Sequence, residues 1–178
     1  MKAIYFIAVA LSLLLFSCNS EPSLQKYFVE NQNKPEFIAL DVSPSILKLD
    51  NTKLTLEQSK ALSSFKKMNI LAFKLNDKNK AQFDVERKKV ANILKDTTAY
   101  QQLMKFGSGK DGASISFVGD EDHIDEFILY GSKSDNGFAV IRILGNDMNP
   151  NDAMTLMSVL KESNFDMKQL ESLKGLMK

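Results

Sequence analysis

The amino-acid sequence predicts a single α+β domain, an antiparallel or mixed sheet of five or six strands with helices packed mostly on one face. Three observations predict it. Met68 to Leu75 is apolar at nearly every position, as in a strand covered on both sides. Between Tyr100 and Leu144, four short alternating segments are separated by turn residues, the pattern of an antiparallel meander. Helix-start signatures stand at Ser23, Thr55 and Asn149, so helices flank the strands at both ends of the chain. No internal repeat or low-complexity segment breaks this order.

The chain opens with Lys2 and an apolar run, Ala3 to Phe16, interrupted only by Ser12. The run is too short to span a membrane as a mature helix but suits the core of a signal peptide. It ends in Leu15-Phe16-Ser17-Cys18, with the only cysteine of the chain, and resembles the lipobox of bacterial lipoproteins. The resemblance implies a diacylglycerol on the Cys18 thiol, cleavage just before it and an acyl chain on the new amine. The expected organisation is therefore a lipoprotein signal peptide over 1–17, a lipidated cysteine and short tether over 18–23, and one domain over 24–178. A single chain anchors a protein marginally, at about 0.8 kcal/mol per buried methylene, whereas two or three chains hold it firmly. Extended chain from Cys18 to Leu24 reaches at most about 20 Å, so the domain rides close to the bilayer. Surface-displayed lipoproteins tend to carry an acidic cluster after the cysteine; here Glu21 stands alone, which favours a periplasm-facing location.

Loss of Lys2 reduces the 23 basic residues to 22, matching the 22 acidic ones. A neutral chain has no global electrostatic reason to seek nucleic acid, and its anchoring depends on acyl chains instead of a polybasic patch. With Cys18 lipidated no disulfide can form, so an oxidising compartment is withstood by core packing alone. The mature length is that of one ordinary domain with a sizeable core.

Ser23 can cap a helix in which Leu24, Tyr27 and Phe28 share a face, and Asn33-Lys34-Pro35 stops it. Phe37 to Val42 is a strand, with Ile38, Leu40 and Val42 on one side. Ser43-Pro44 starts a short turn that buries Ile46 and Leu47. Thr55-Leu56-Glu57-Gln58 has capping-box spacing and opens a helix carrying Leu62 and Phe65 inward. In the candidate central strand, Met68, Ile70 and Ala72 face one way and Leu71, Phe73 and Leu75 the other. A helix from Asn79 to Leu94 aligns Phe83, Arg87, Val90 and Leu94, with Lys78, Lys80, Lys88, Lys89 and Lys95 on its solvated side.

The meander follows as Tyr100 to Phe106, Ala113 to Val118, Ile124 to Tyr130 and Phe138 to Leu144. Asn136-Gly137 signals a hairpin with a type I′ turn, whose two central positions need positive φ. Asn149, Pro150 and Asp152 start a helix with Ala153, Leu156, Met157 and Leu160 in a stripe, and Asp166 starts a last one with Leu170, Leu173 and Met177 inward.

The lipoprotein signal, the strand Phe37 to Val42, the capped helix leading into Met68 to Leu75, the hairpin Phe127 to Leu144 and the closing run Arg142 to Met148 together resemble the bacterial envelope family called domain of unknown function 4252. The likeness spans nearly all of the mature chain. It implies that Gly145-Asn146-Asp147 turns from the last strand into the final helices. Such proteins are often described beside sigma-factor regulators, so the resemblance permits a link to envelope stress signalling. It transfers no catalytic residue.

Three local features invite a chemical interpretation. Gly107-Ser108-Gly109-Lys110-Asp111-Gly112 satisfies G-x-G-x-x-G, but a dinucleotide site needs that loop between a strand and a helix N-terminus, and here it joins two strands. Asp120-Glu121-Asp122-His123-Ile124-Asp125-Glu126 gathers five carboxylates and the only histidine, enough ligand atoms for a divalent cation. It lacks the glycine and spacing of an EF-hand loop, and one histidine cannot build a typical catalytic zinc site, so a solvated turn is expected. Met148, Met154, Met157, Met167 and Met177 could line an adaptable groove, although helical spacing favours core filling. A Ser-His-Asp triad would have to use His123, and no G-x-S-x-G elbow presents a serine.

The expected function is a non-catalytic, lipid-anchored interaction or sensing module of the envelope, with the membrane and an envelope or regulatory protein as partners, no nucleic acid, no cofactor and no metal. The alternatives are a metal-dependent envelope hydrolase built on residues 120–126 and a small-molecule-binding lipoprotein with a deep apolar pocket between sheet and helices.

Overall fold

The computed structural model describes residues 21–46 and 54–162. The expected signal peptide, Cys18, Leu47 and the helix expected from Asp166, with Met167, Leu170, Leu173 and Met177, lie outside the described residues, as do the side chains of Ile46, Ala153, Met157 and Leu160.

Ser23 accepts the Lys26 amide and starts α1, Leu24–Asn31, which buries Leu24, Tyr27 and Phe28 as its spacing requires. The edge strand β1, Phe37–Val42, follows, and a single 3-10 turn, Pro44–Ile46, leaves it. In α2, Leu56–Ser64, Thr55 accepts the Gln58 amide while the Gln58 side chain accepts the Thr55 amide, the reciprocal bonds of a capping box. Its fully buried residue is Ala61, with Leu62 partly buried. Phe65 is buried too, but as the first residue of β2, Phe65–Lys74: the helix runs into the strand with no loop between.

After α3, Lys80–Ile93, come β3, Gln101–Ser108, β4, Asp111–Asp120, β5, His123–Lys133, and β6, Gly137–Met148, then α4, Pro150–Glu162. The six strands form one sheet in the order β1-β2-β6-β5-β4-β3, antiparallel throughout. The meander is as expected; β2 is an interior strand, and the middle pair is β6 and β5.

Helix placement differs from the sequence expectation, because helices cover both faces. On one face α1 and α3 pack Leu24, Tyr27, Phe28, Phe83 and Val90 onto Leu71, Phe73, Ile128, Phe138 and Val140. Phe37, Phe73 and Phe138 from three adjacent strands meet there, the last two stacked at 5.5 Å between centroids. On the other face α2 and α4 contribute Ala61 and Leu156 to a cluster with Met68, Ile70, Phe127 and Ile143. The physical reason lies in β2 itself: Leu71 and Phe73 bury one side of it, Met68 and Ile70 the other, and each side needs its own cover.

Two turns differ in detail. Lys133 opposes Gly137, so the β5–β6 connection is a three-residue loop, Ser134 to Asn136, and not a type I′ turn centred on Asn136-Gly137. Gly137 is the first strand residue, at φ +122°, where a Cβ would collide with the Phe73 carbonyl oxygen. Gly145-Asn146-Asp147 forms a bulge within the end of β6, since Leu144 opposes Glu126 and the next pair is Met148 with Ile124. Asp147 adopts φ +50°, and Lys66 Nζ donates to Asn146 Oδ1 at 2.5 Å, fastening the bulge to β2.

Candidate functional site

The acidic stretch is divided by a register shift between Ile124 and Glu126. Asp120 ends β4 and opposes His123 at the start of β5, so Glu121 and Asp122 form the turn and stay exposed. Ile124 is fully buried on the α2–α4 side, whereas Glu126 lies on the α1–α3 side. There Arg142 binds it from β6 through Nε to Oε1 at 2.6 Å and Nη2 to Oε2 at 2.8 Å. The exposed His123 Nδ1 lies 3.2 Å from Asp147 Oδ1. The five carboxylates therefore point to different surroundings, and among the described residues no three His, Cys, Asp or Glu side chains converge on a metal position.

The Arg142–Glu126 pair is covered by α1, where the Phe28 ring lies over the guanidinium at 5.4 Å. Nearby, Tyr100 Oη accepts the first amide of α1, from Leu24, at 2.9 Å, which ties the start of the domain to the residue preceding β3. A second buried carboxylate, Glu86 on α3, accepts from Tyr27 Oη at 2.8 Å and from Lys89 Nζ at 2.8 Å. Burial and the adjacent Glu86 carboxylate push the Tyr27 phenol far above the ordinary tyrosine range. Both carboxylates have hydrogen-bonding partners, an arrangement suited to holding α1 on the sheet. The groove between α1 and α3, about 510 Å³, is lined by Glu21, Lys26, Glu30, Lys89 and Asp96 and is a charged surface cleft.

The glycine-rich segment spans the end of β3, a Gly109-Lys110 turn and the start of β4, as its place between strands required. Among the methionines, Met148 is fully buried, as core filling requires, while Met154 on α4 is exposed.

What the sequence did not single out is the outer end of the sheet. On the α2–α4 face the strands align three rows of side chains. Val42, Met68, Ile143, Phe127 and Phe117 form the row buried beneath those helices. In the next row, Leu40, Ile70, Ile141, Leu129, Ile115 and Met104, Ile70 is buried, Ile141, Leu129 and Ile115 are half-buried and Met104 on β3 is exposed. The third row is Ile38, then the small residues Ala72, Ala139, Gly131 and Ala113, then Phe106. All eight residues of β3 are exposed, and Leu103, Met104 and Phe106 stay 38%, 45% and 58% accessible. A bulge between Gln102 and Met104 accounts for the consecutive apolar pair Leu103-Met104. Among the described residues nothing pairs with the outer edge of β3. An apolar strip thus runs to a free sheet edge, the geometry that accepts an added strand.

A six-stranded antiparallel sheet with two helices on each face, a buried ion pair beneath α1 and an open apolar edge among the described residues define the class: a single α+β domain. The chain belongs to the family described as domain of unknown function (DUF4252), whose model matches residues 27–156. No curated protein and no solved structure matches it. Among the described residues no helix is long and apolar enough to cross a membrane.

Proposed function

We propose that this protein is a non-catalytic, lipid-anchored interaction or sensing module of the bacterial envelope, held through Cys18 and facing the periplasm. The observation that supports an interaction role is the open strip ending in Leu103, Met104 and Phe106 on the outer edge of β3, which no strand among the described residues pairs. A protein partner that adds a strand there satisfies the free backbone groups of β3 and covers Met104 and Phe106 in the same step. Lys105, the only charge on β3, opposes Ser114 on the α1–α3 face and leaves the apolar side unguarded. The Tyr100–Leu24 bond sets the residue preceding β3 beside the start of the domain, so a short lipid tether presents the start of this edge near the bilayer.

Photo-crosslinking in intact cells tests this reading. A crosslinker at Leu103 should capture one reproducible envelope protein, capture should fail in a Phe106→Lys background, and a crosslinker at Val85 on the exposed side of α3 should not capture it. Equal capture from both positions, or none from β3, would contradict the proposal.

A further inference from the structure

A second cavity, on the opposite face of the sheet, has a chemistry that the β3 edge does not explain. It is a cleft of about 180 Å³ between the second half of α3 and the β3–β5 end of the sheet. Arg87, Lys95 and Lys105 are the charged residues among its lining side chains, and no acidic residue lines it among the described residues. Ser114, Ser116 and Tyr130 also line it, with Ser116 buried at 3% accessibility. Of the acids carried by the same helix, Glu86 binds Tyr27 and Lys89, while Asp84 pairs with Lys110 and also feels the Arg87 charge from outside the lining.

Arg87 is only partly used. Its Nη1 donates to the Gly109 carbonyl at 3.0 Å, holding the glycine-rich hairpin against α3, while its Nε is buried with no hydrogen-bond partner. A buried guanidinium donor left unpaired is costly unless something binds it. Three cations, the buried Ser116 and an orphaned donor, with no acidic residue in the lining among the described residues, favour a negatively charged occupant. The cavity is smaller than the ~300–1,000 Å³ of drug-sized ligand pockets, so that occupant is compact.

We infer that the α3–sheet cleft binds a phosphate-type oxyanion, with the half-buried Arg87 as its anchor and Lys105 and Lys95 at its rim. The same chemistry is offered by free inorganic phosphate and by a phospholipid headgroup. The full mature chain, in zwitterionic detergent, is titrated with sodium phosphate against sodium chloride of equal ionic strength while the arginine Nε–H signals are followed by NMR. Saturable shifts of the Arg87 signal with phosphate alone are expected. Lys105→Gln should weaken binding about ten-fold, the loss of one charge-assisted hydrogen bond, and Arg87→Gln should abolish it. Vesicles with and without phosphatidylglycerol form the second arm: competition by those vesicles assigns the site to a lipid headgroup, and its absence assigns it to the free ion. Shifts that are non-saturating, or equal in chloride and in Lys105→Gln, would show an adventitious ion only and overturn the inference. The β3 crosslinking result is read at Leu103, which does not line this cleft; Phe106 does, so phosphate binding is measured without the Phe106→Lys change.

Discussion

Arg142 on β6 and Glu126 on β5 form a bidentate ion pair with side chains about nine-tenths buried, at 2.6 and 2.8 Å, beneath the Phe28 ring of α1. The pair fixes α1 to the sheet and removes Glu126 from the acidic stretch that the sequence presents as a continuous cluster. Replacing one partner leaves the other charge buried and unpaired. Glu126→Gln should therefore destabilise the domain by about 3–5 kcal/mol, and the double variant Glu126→Leu/Arg142→Met by much less, as measured by urea denaturation.

The remaining carboxylates of the 120–126 stretch lie apart from it. Calorimetric titration of the mature chain with calcium, magnesium and zinc should be silent. Micromolar binding lost in Asp122→Ala would instead support the hydrolase alternative.

Tyrosine ionisation gives a pH prediction. Tyr27, Tyr100 and Tyr130 are all shifted upward, chiefly by burial, from an ordinary value of 10.0. A raised folded-state value favours the neutral phenol, so this stability is complete below about pH 10, the unfolded value, and is lost as pH rises towards the folded values. Removal of residues 1–17 takes Tyr5 with it and leaves these three. Absorbance at tyrosinate wavelengths should stay flat through the ordinary range and then rise together with loss of near-ultraviolet circular dichroism. A separate titration near pH 10 in the folded state would contradict the burial of these phenols.

Two glycines should respond oppositely to alanine. Gly137 combines φ +122° with a backbone collision, so Gly137→Ala should cost at least about 1–3 kcal/mol. Gly131, in the small-residue row, has open space around a built Cβ and no positive φ, so Gly131→Ala should be neutral or stabilising by about 0.5–1 kcal/mol. Thermal unfolding distinguishes the two.

Local signals were legible wherever the physics is local. Thr55 and Gln58 form the capping box that their spacing announces, and Asn149 Oδ1 accepts the Asp152 amide while Asp152 Oδ2 accepts that of Asn149. The span of β1 is Phe37–Val42 as read, because alternation and the turn residues around it suffice. What escaped depended on distant partners. Glu86 looks like part of a solvated helix face, yet it is buried because Tyr27, 59 residues away, donates to it. The sequence showed that β2 needed cover on both sides but not which helices would supply it. The exposure of β3 followed from topology, since the first strand of a meander with no other neighbour is an edge, while the open row above Phe106 depended on a register no local pattern records.

The central claim is a globular module fixed beside a membrane by acyl chains on Cys18, and intact mass spectrometry of the native protein tests it most directly. The account predicts a polypeptide beginning at Cys18 that carries a diacylglycerol and an amide-linked acyl chain. An unmodified chain that still contains residues 1–17 would contradict it.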